Sequence, residues 1–366
     1  MTPTQQRLAR LRLRLAEQGL SNLLVTNLTS IRYLTGFSGS AGMALIKEEE
    51  AHFFSDGRYQ EQARQQVSGY QIHIDAGTAQ TQAPGLAGFI QGLDLIDAAQ
   101  HIAFEADHLT VAALNQWQEL FPQVTWVETA GMVSDLAVVK DDEELAALKQ
   151  AVAITDRVFE SLLEALRPGA VERQVAARIS YLIKHHGGDS DSFEPIVASG
   201  WRGALPHARP SDKVFERGDF VVLDFGARFG GYHADMTRTV CVSSASDRHH
   251  EIYDIVLEAQ RLGIAAAHDG VPTADVDAAC RNYIEAKGFG DYFIHGTGHG
   301  VGLEVHTAPR LSRQSREVLA ANMVVTVEPG IYIPDWGGVR IEDDILVGLD
   351  GSAPLNKSTK ELLVVG

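Results

Sequence analysis

The chain has 366 residues, a formal net charge of −17 and 45% hydrophobic residues. This length and composition predict a globular protein that folds as two domains. A strongly acidic chain is a poor partner for nucleic acid, and no apolar run approaches the ~20 residues of a membrane helix. Two cysteines and no apolar leader segment predict a cytoplasmic protein with reduced thiols.

The first third of the chain alternates helical and strand patterns. The predicted elements are, in chain order, a helix ending near Gly19, strands at 22–25 and 42–46, a helix over 59–67, a strand at 101–104, a helix over 110–120 and a strand at 124–127. This order predicts a mixed α/β domain over residues 1–132, with residues 133–366 as the second domain. An acidic run at 141–144 then opens a long helix that extends through Leu166.

One predicted hairpin of the second domain lies within residues 220–240. Its first strand is the apolar run that ends at Asp224, and its turn is Phe229-Gly230-Gly231. Folding the chain about Phe229 and Gly230 places Asp224 opposite Asp235. Cross-strand neighbours have Cβ atoms ~5 Å apart, so the two carboxylates are predicted to face each other.

A second hairpin of similar design lies within residues 324–342. Its turn is predicted at 334–338, and folding about Asp335 places Glu328 opposite Glu342. Like charges that face each other destabilise a sheet unless a cation lies between them or one takes up a proton. A solvated sheet edge is the alternative, but the apolar runs before Asp224 and Glu328 are typical of interior strands. The two pairs therefore predict four oxygen donors around a metal centre.

A segment rich in histidine and glycine lies between the two hairpins. Residues 295–306 contain His295, His299 and His306, with glycine at every second position from 296 to 302. The segment lacks the spacing of a phosphate-binding loop. Alternating glycines predict a backbone packed closely against its neighbours, with imidazoles projecting from it. The alternative is a polar loop whose histidines have no role in a site.

Together these motifs resemble the proline-specific pita-bread metallopeptidases, the family of prolidase (Xaa-Pro dipeptidase) and aminopeptidase P. The matching segments are 223–226, 232–239, 295–306, 327–332 and 338–343, and segments 31–37 and 55–59 resemble the creatinase-type N-terminal domain. The resemblance implies an α/β (α+β) protein. Its pita-bread catalytic domain would have a pseudo-twofold β-sheet flanked by helices, and a creatinase-type α/β N-terminal domain would precede it.

The resemblance also implies a dinuclear metal site. Its ligands would be Asp224, Asp235, His299, Glu328 and Glu342, with Asp235 and Glu342 bridging both ions. Four carboxylates and one imidazole suit Mn²⁺, with Co²⁺, Fe²⁺ or Zn²⁺ as alternatives. Two such ions can activate water and polarise a substrate carbonyl, with Glu328 moving the proton.

Further residues gain expected roles from the same resemblance. His306 would contact the carbonyl or its oxyanion, and His207 would lie near the leaving group. His295 would shape a proline pocket, Arg340 would bind a carboxylate or an Asp partner, and Tyr232 would hydrogen-bond near them. For each residue the alternative is a polar side chain with a packing role only.

The implied reaction is hydrolysis of the peptide bond that precedes proline, in Xaa-Pro dipeptides because the N-terminal domain is short. Aminopeptidase P activity on longer Xaa-Pro-containing peptides is the main alternative, and a homodimer is implied in either case. A metal-free creatinase-like hydrolase and a non-catalytic binding module fit less well, since all five ligand positions are filled. The family usually has Glu where this chain has Thr307, so the neighbouring histidine and water network are expected to differ.

Overall fold

The structure is a computed structural model, and it describes residues 1–77, 85–97 and 100–366. The chain folds into two compact units, Met1–Ala137 and Val138–Gly366. The sequence-based boundary, after residue 132, lies a few residues earlier. None of the helices in the described ranges is long and apolar enough to cross a membrane.

The N-terminal unit is built on one mixed sheet with strand order β4-β3-β2-β1-β5-β6. Its helices and strands are, in chain order, α1 (Pro3–Glu17), β1 (Leu23–Val25), α2 (Leu28–Thr35), β2 (Met43–Ile46), β3 (Ala51–Asp56), α3 (Gln60–Gln66), β4 (Gln71–Asp75), α4 (Gly85–Gly92), β5 (His101–Glu105), α5 (Val111–Leu120) and β6 (Thr125–Thr129). The mixed α/β architecture is confirmed. The sequence did not predict α2, β3, β4 and α4, which are short elements with weak periodicity.

The second unit contains two helix pairs and several sheets. Its helices and strands are, in chain order, α6 (Asp142–Leu162), α7 (Glu172–His185), β7 (Ser190–Asp191), β8 (Ile196–Ser199), β9 (Phe220–Phe225), β10 (Ala227–Phe229), β11 (Tyr232–His233), β12 (Met236–Val242), α8 (Asp247–Ala266), α9 (Thr273–Ala286), β13 (Gly298–Gly300), β14 (Thr307–Leu311), β15 (Val324–Val327), β16 (Gly330–Ile333), β17 (Gly337–Arg340), β18 (Asp343–Val347), β19 (Ser352–Pro354) and β20 (Val364–Val365).

The core of this unit has two halves of similar design. One sheet has the order β20-β12-β9-β8, and another has the order β14-β13-β15-β18-β19. Helices α6 and α7 pack on the first sheet through residues such as Val158, Ile179 and Leu223. Helices α8 and α9 pack beside the second sheet through residues such as Val256 and Val325. The two hairpins predicted to carry metal ligands are therefore each backed by a separate helix pair.

Local sequence signals account for the helix ends near the first sheet. Asp141 and Glu144 form a capping box at the start of α6, where each side chain accepts a hydrogen bond from the other residue's backbone N–H. Helix α7 ends at His185, before Gly187 with a φ of 94°. The acidic start predicted for α6 is present, and the helix ends at Leu162, before the predicted end at Leu166.

The register of the first hairpin differs from the prediction. Strands β10 and β11 pair Phe229 with Tyr232, so the two-residue turn is Gly230-Gly231, with φ values of 58° and 86°. Strands β9 and β12 pair Asp224 with Thr237. The prediction that Asp224 lies opposite Asp235 is therefore wrong. Adjacent glycines with positive φ suit a two-residue hairpin, and they centre the turn one residue later than predicted.

The predicted register of the second hairpin is confirmed. Val327 pairs with Asp343, and Gly330 pairs with Arg340. This register places Glu328 across from Glu342. The turn is shorter than predicted, because β17 already begins at Gly337.

The alternating glycines let the strand that carries His299 approach its neighbours closely. A Cβ atom on Gly298 would lie 2.0 Å from the carbonyl oxygen of Thr326, and one on Gly300 would lie 2.1 Å from that of Ala308. The oxygen of Thr326 cannot move without separating β13 from β15, and that of Ala308 cannot move without separating β13 from β14. The close backbone packing predicted from the sequence is therefore present at these two positions. At Gly302 a Cβ would meet only the Cε atom of Lys140, at an ordinary 3.6 Å.

We expect Gly298→Ala to destabilise the protein by about 1–3 kcal/mol, because the added methyl group overpacks a fixed backbone contact. Chemical denaturation of the purified protein measures this change. Gly302→Ala is the matched control, and its free energy of unfolding should stay within about 0.5 kcal/mol of the parent value. Equal stabilities for the two variants would contradict the packing argument.

Candidate metal centre

The hairpins and β13 bring the five predicted ligands to one place. Asp224 lies in β9, Asp235 precedes β12, and Glu342 lies between β17 and β18. One ligand atom from each of Asp235, His299 and Glu342 lies within 4.8 Å of the other two. The Nε2 atom of His299 is 3.4 Å from Oε1 of Glu328 and 3.7 Å from Oδ2 of Asp235. We call Asp224, Asp235, Glu328 and Glu342 the acidic cage.

The acidic cage is electrostatically unfavourable without a cation. Loss of hydration raises the pKa of Asp235 well above its usual value, and the charges of Glu342 and Asp224 raise it further. Loss of hydration also raises the pKa of Glu342 well above its usual value, and the charges of Glu328 and Asp224 raise it further. Burial is also the main cause that raises the pKa of Glu328 to about 8. Four ionised carboxylates cannot share this volume without positive charge between them.

Two carboxylate oxygens in the acidic cage have no protein partner. The Oδ1 atoms of Asp224 and Asp235 are buried, and neither accepts a hydrogen bond from the described residues. Buried oxygens normally have a partner. An oxygen-rich donor set with one imidazole fits hard divalent cations such as Mn²⁺. The residues present therefore fit a bound metal centre.

Hydrogen bonds fix two of the cage carboxylates and the backbone of a third cage residue. The guanidinium of Arg340 donates from Nη2 to Oδ2 of Asp224 at 2.5 Å. The hydroxyl of Thr237 donates to Oε2 of Glu342 at 2.7 Å. The backbone N–H of Asp235 donates to Oδ2 of Asp344 at 2.9 Å. The carboxylates of Asp224 and Glu342 are thus oriented by donors outside the cage, as ligands in metal sites usually are.

The imidazole of His299 presents a lone pair to the acidic cage. Its Nδ1 lies 3.1 Å from the carbonyl oxygen of Gly300. Because a carbonyl oxygen can only accept a hydrogen bond, Nδ1 is the ring nitrogen that carries the hydrogen. The Nε2 lone pair therefore faces Asp235 and Glu328. Burial lowers the pKa of His299 to about 3, which keeps the ring neutral. A neutral ring with a free Nε2 lone pair is the form that ligates a metal.

A second network joins His295 to Asp224. The Nε2 atom of His295 lies 2.8 Å from the hydroxyl of Tyr332, and Arg340 donates from Nη1 to that hydroxyl at 2.8 Å. Arg340 also binds Asp224, as described above. Sequence reasoning expected an Asp partner for Arg340, but it missed Tyr332. The only available signal was the position of Tyr332 four residues after Glu328, which does not show where the ring points.

Tyr232 is placed differently from the expectation. Its ring is buried in an apolar cluster with Leu145, Leu148 and Val324. Among the residues that the structure describes, it is not part of the wall of the cavity above the acidic cage. The tyrosine whose hydroxyl lies beside His295 is Tyr332, at 2.8 Å from Nε2.

A cavity of about 520 Å³ opens above the acidic cage. His207, His295 and His306 all line it. The ring of His306 packs edge-on against that of His299, with centroids 4.3 Å apart. The three histidines predicted from the sequence are thus brought together around the same space as the ligands.

Arg310 also lines the cavity, although no motif in the sequence indicated a role for it. Its charge contributes to lowering the pKa of His306, after the larger effect of burial. Within the described ranges no carboxylate lies within ion-pair distance of its guanidinium. By contrast, Arg340 uses its donors on Thr237, Pro206, Tyr332 and Asp224. Arg310 therefore places at the cavity a guanidinium group that forms no ion pair with the described residues.

Comparison with known proteins gives matches over both units. Residues 146–348 match the model of metallopeptidase family M24, and residues 7–139 match that of the creatinase/prolidase N-terminal domain. A solved structure of an Xaa-Pro dipeptidase from Bacillus anthracis is 43% identical, with a TM-score of 0.92 over 99% of this chain and 100% of that one. An X-Pro aminopeptidase from Thermotoga maritima is 34% identical, with a TM-score of 0.87 over 98% and 99%.

The similarity extends to a curated relative. An Xaa-Pro dipeptidase from Pyrococcus furiosus is 46% identical over 63% of this chain and 67% of its own length. The family model covers more than half of the chain, including all five predicted ligands. The resemblance seen in the sequence is thereby confirmed. The chain belongs to metallopeptidase family M24 and carries a creatinase/prolidase N-terminal domain.

Proposed function

We propose that the protein hydrolyses the peptide bond before proline in Xaa-Pro dipeptides. The observation that carries the proposal is the acidic cage, with its unpartnered oxygens, at the base of a cavity lined by three histidines. Relatives of this chain bear the name Xaa-Pro dipeptidase in both comparisons. Asp224, Asp235, His299, Glu328 and Glu342 would hold the metal in this proposal.

Two divalent cations held there would acidify a water molecule and polarise the scissile carbonyl. Glu328 takes the proton of the attacking water and delivers it to the leaving nitrogen. Its position beside His299, 3.4 Å from Nε2, puts it at the edge of the cavity where such a transfer can occur. His306 and His207 line the same space and are assigned to the substrate carbonyl oxygen and the leaving group.

The imide nitrogen of proline carries no hydrogen, so it needs a site that does not require an N–H donor. His295 is neutral, because burial lowers its pKa to about 4, and Tyr332 orients its ring. A neutral ring held in this way gives a wall for the pyrrolidine ring. Arg340 is a positioning residue in this proposal, since its guanidinium binds Asp224.

Arg310 favours a dipeptide as the substrate. A dipeptide ends in a carboxylate one residue after the scissile bond, and this charge needs a cation inside the cavity. Arg310 lines the cavity and its guanidinium forms no ion pair with a described carboxylate. Guanidinium groups bind carboxylates with strong charge-assisted hydrogen bonds.

Release of the N-terminal residue from longer peptides is the second candidate function. A depression of about 860 Å³ shares His295, Gly296 and Ser312 with the cavity and extends past Arg313. Such a continuation could hold residues beyond proline. The similarity to an X-Pro aminopeptidase from Thermotoga maritima agrees with this candidate.

The proposal also includes the metal ions, the oligomeric state and the location of the protein. Two ions per chain, with Mn²⁺ as the metal, follow from the family resemblance and from the oxygen-rich donor set. A homodimer and a cytoplasmic location remain sequence-based predictions. Thr307, in place of the usual Glu, is not one of the five proposed ligands, and its hydroxyl donates to the carbonyl of Ala308.

Asp235→Asn should lower kcat/KM for an Xaa-Pro dipeptide by about a thousandfold or more, because the cage loses a shared anionic ligand. Chelation of the parent protein should abolish turnover, and added Mn²⁺ should restore it. Asp254→Asn, on the exposed side of α8, is the control and should retain parent activity. Full turnover by the Asp235 variant or by the chelated parent would refute the proposal.

The metal-free protein should lose stability as the pH rises from 6.5 to about 8. A carboxyl group whose pKa is higher in the folded chain binds a proton on folding, so stability falls as the pH rises towards that folded pKa. Glu328, with a pKa of about 8, and Asp235 and Glu342 act in this direction. Buried histidines such as His299 act oppositely, but only below their unfolded pKa of 6.5.

Thermal denaturation across this pH window measures the effect. We expect the Tm of the chelated protein to fall by about 5 °C or more. Protein saturated with Mn²⁺ should show a much smaller slope, since bound cations keep the carboxylates ionised in the folded state. A Tm of the chelated protein that is constant or rises with pH would contradict the electrostatic account of the acidic cage.

Arg310→Gln should raise KM for an Xaa-Pro dipeptide by about 10–100-fold, because a charge-assisted hydrogen bond is lost. The same substitution should change KM for the C-terminal amide, Xaa-Pro-NH₂, by less than about threefold. Steady-state kinetics with the two substrates give this comparison. Equal losses on both substrates would exclude Arg310 as the carboxylate site, and preferred cleavage of Xaa-Pro-Yaa by the parent would favour the aminopeptidase.

A further inference from the structure

Glu172, the first residue of α7, is a carboxylate with no exposed surface, far in sequence from the acidic cage. A buried carboxylate is costly unless hydrogen bonds replace its lost hydration. Nothing in the proposed mechanism uses this group. Its surroundings therefore need another explanation.

Five donors converge on this carboxylate. Oε1 accepts hydrogen bonds from the backbone N–H of Ser199 at 2.8 Å and from its hydroxyl at 2.9 Å. Oε2 accepts from the backbone N–H of Ser211 at 3.0 Å, from its hydroxyl at 2.7 Å, and from Nε of Arg202 at 3.0 Å. Both oxygens of Glu172 are fully occupied as acceptors.

All five donors belong to one segment, residues 199–211, which we call the His207 loop. Ser199 begins the loop and Ser211 ends it, so one carboxylate holds both ends together. Inside the loop, Arg202 donates from Nη2 to the carbonyl of Arg209 at 2.6 Å. Apart from a 3₁₀ turn at Gly200–Ala204 the loop has no regular structure. Its shape therefore depends on these tertiary contacts.

The His207 loop forms one side of the cavity above the acidic cage. Pro206, His207, Ala208 and Arg209 all line that cavity. The carbonyl of Pro206 accepts a hydrogen bond from Nη1 of Arg340, the residue that binds Asp224. A shift of the loop would move His207 relative to the substrate, and none of residues 199–211 is itself a proposed metal ligand.

We propose that Glu172 is a positioning residue that sets the place of His207 over the reacting bond by clamping both ends of the His207 loop. This inference rests on the proposed function, because His207 acts on the substrate there. Backbone N–H groups of Glu172 and Arg173 also bind the carbonyls of Lys213 and Ser211 at the C-terminal end of the loop. The carboxylate of Glu172 joins this end to Ser199 at the other end. Small displacements of a positioned group are enough to lower catalytic rates strongly.

Glu172→Gln is the first test. Glutamine has the same shape, but its NH₂ group must face donors at Ser199 or at Ser211 and Arg202, so one end of the clamp is lost. We expect kcat/KM for an Xaa-Pro dipeptide to fall by about 10–100-fold, while the bound metal content is unchanged. Asp156→Asn is the matched control, since Asp156 is also buried but binds Lys357 and Ser358 instead. It should change kcat/KM by less than about twofold.

A double-mutant cycle separates positioning from general stability. If Glu172 acts through His207, Glu172→Gln should have less than about a twofold effect on kcat/KM once His207→Ala is present. An equal loss in both backgrounds would overturn the proposal. If Glu172→Gln does not fold, Ser199→Ala combined with Ser211→Ala removes two donors and leaves the carboxylate, and should give a smaller loss with the same dependence on His207.

Histidine NMR gives a readout that does not depend on activity. The His207 signal of protein labelled with ¹³C and ¹⁵N in histidine is identified by its absence from His207→Ala. Glu172→Gln should shift or broaden this signal and leave that of exposed His250 unchanged. An unchanged His207 signal would refute the clamp. If the parent cleaves no Xaa-Pro bond but the His207 signal responds, the proposed function fails and the clamp stands.

Discussion

The mutual repulsion of carboxylates removed from water is the constraint on which this structure depends. Asp235 and Glu342 are buried beside Asp224 and Glu328, and their pKa values are raised by lost hydration and by the charges of neighbouring carboxylates. Proteins tolerate such clusters when cations or protons neutralise them. The unpartnered Oδ1 atoms of Asp224 and Asp235 show that hydrogen bonds from the described residues do not complete this task. Bound divalent ions would complete it and would supply the chemistry.

The surrounding fold holds the repelling groups at fixed positions. Each hairpin is backed by its own helix pair, and glycines at 298 and 300 let β13 bring His299 close to the other ligands. Arg340, Thr237 and Asp344 then orient individual ligands through hydrogen bonds. The rigid sheets therefore carry the ligands, whereas the irregular His207 loop carries a residue assigned to the substrate. Such loops need separate anchoring, which the buried carboxylate of Glu172 provides.

Local patterns predicted much of this arrangement. The second hairpin has the predicted register because its strands carry apolar runs and its turn, which begins at Pro334, is centred where the sequence places it. The first hairpin was misplaced by one residue at its centre, since Phe229-Gly230-Gly231 allows two turns that differ only in which residues adopt positive φ. Tyr332, Arg310 and Glu172 were missed for a different reason. Tyr332 contacts His295, and Glu172 contacts Ser199 and Ser211, all of which lie far away in the sequence. For all three residues, nothing in the local pattern shows which way the side chain points.

Anomalous diffraction from crystals grown with Mn²⁺ tests the central claim most directly. The account predicts two manganese peaks per chain inside the acidic cage, both in contact with the carboxylates of Asp235 and Glu342. A single peak would leave the cluster of carboxylates only partly neutralised and would contradict a two-ion centre. Absence of any peak at these carboxylates would contradict the account as a whole.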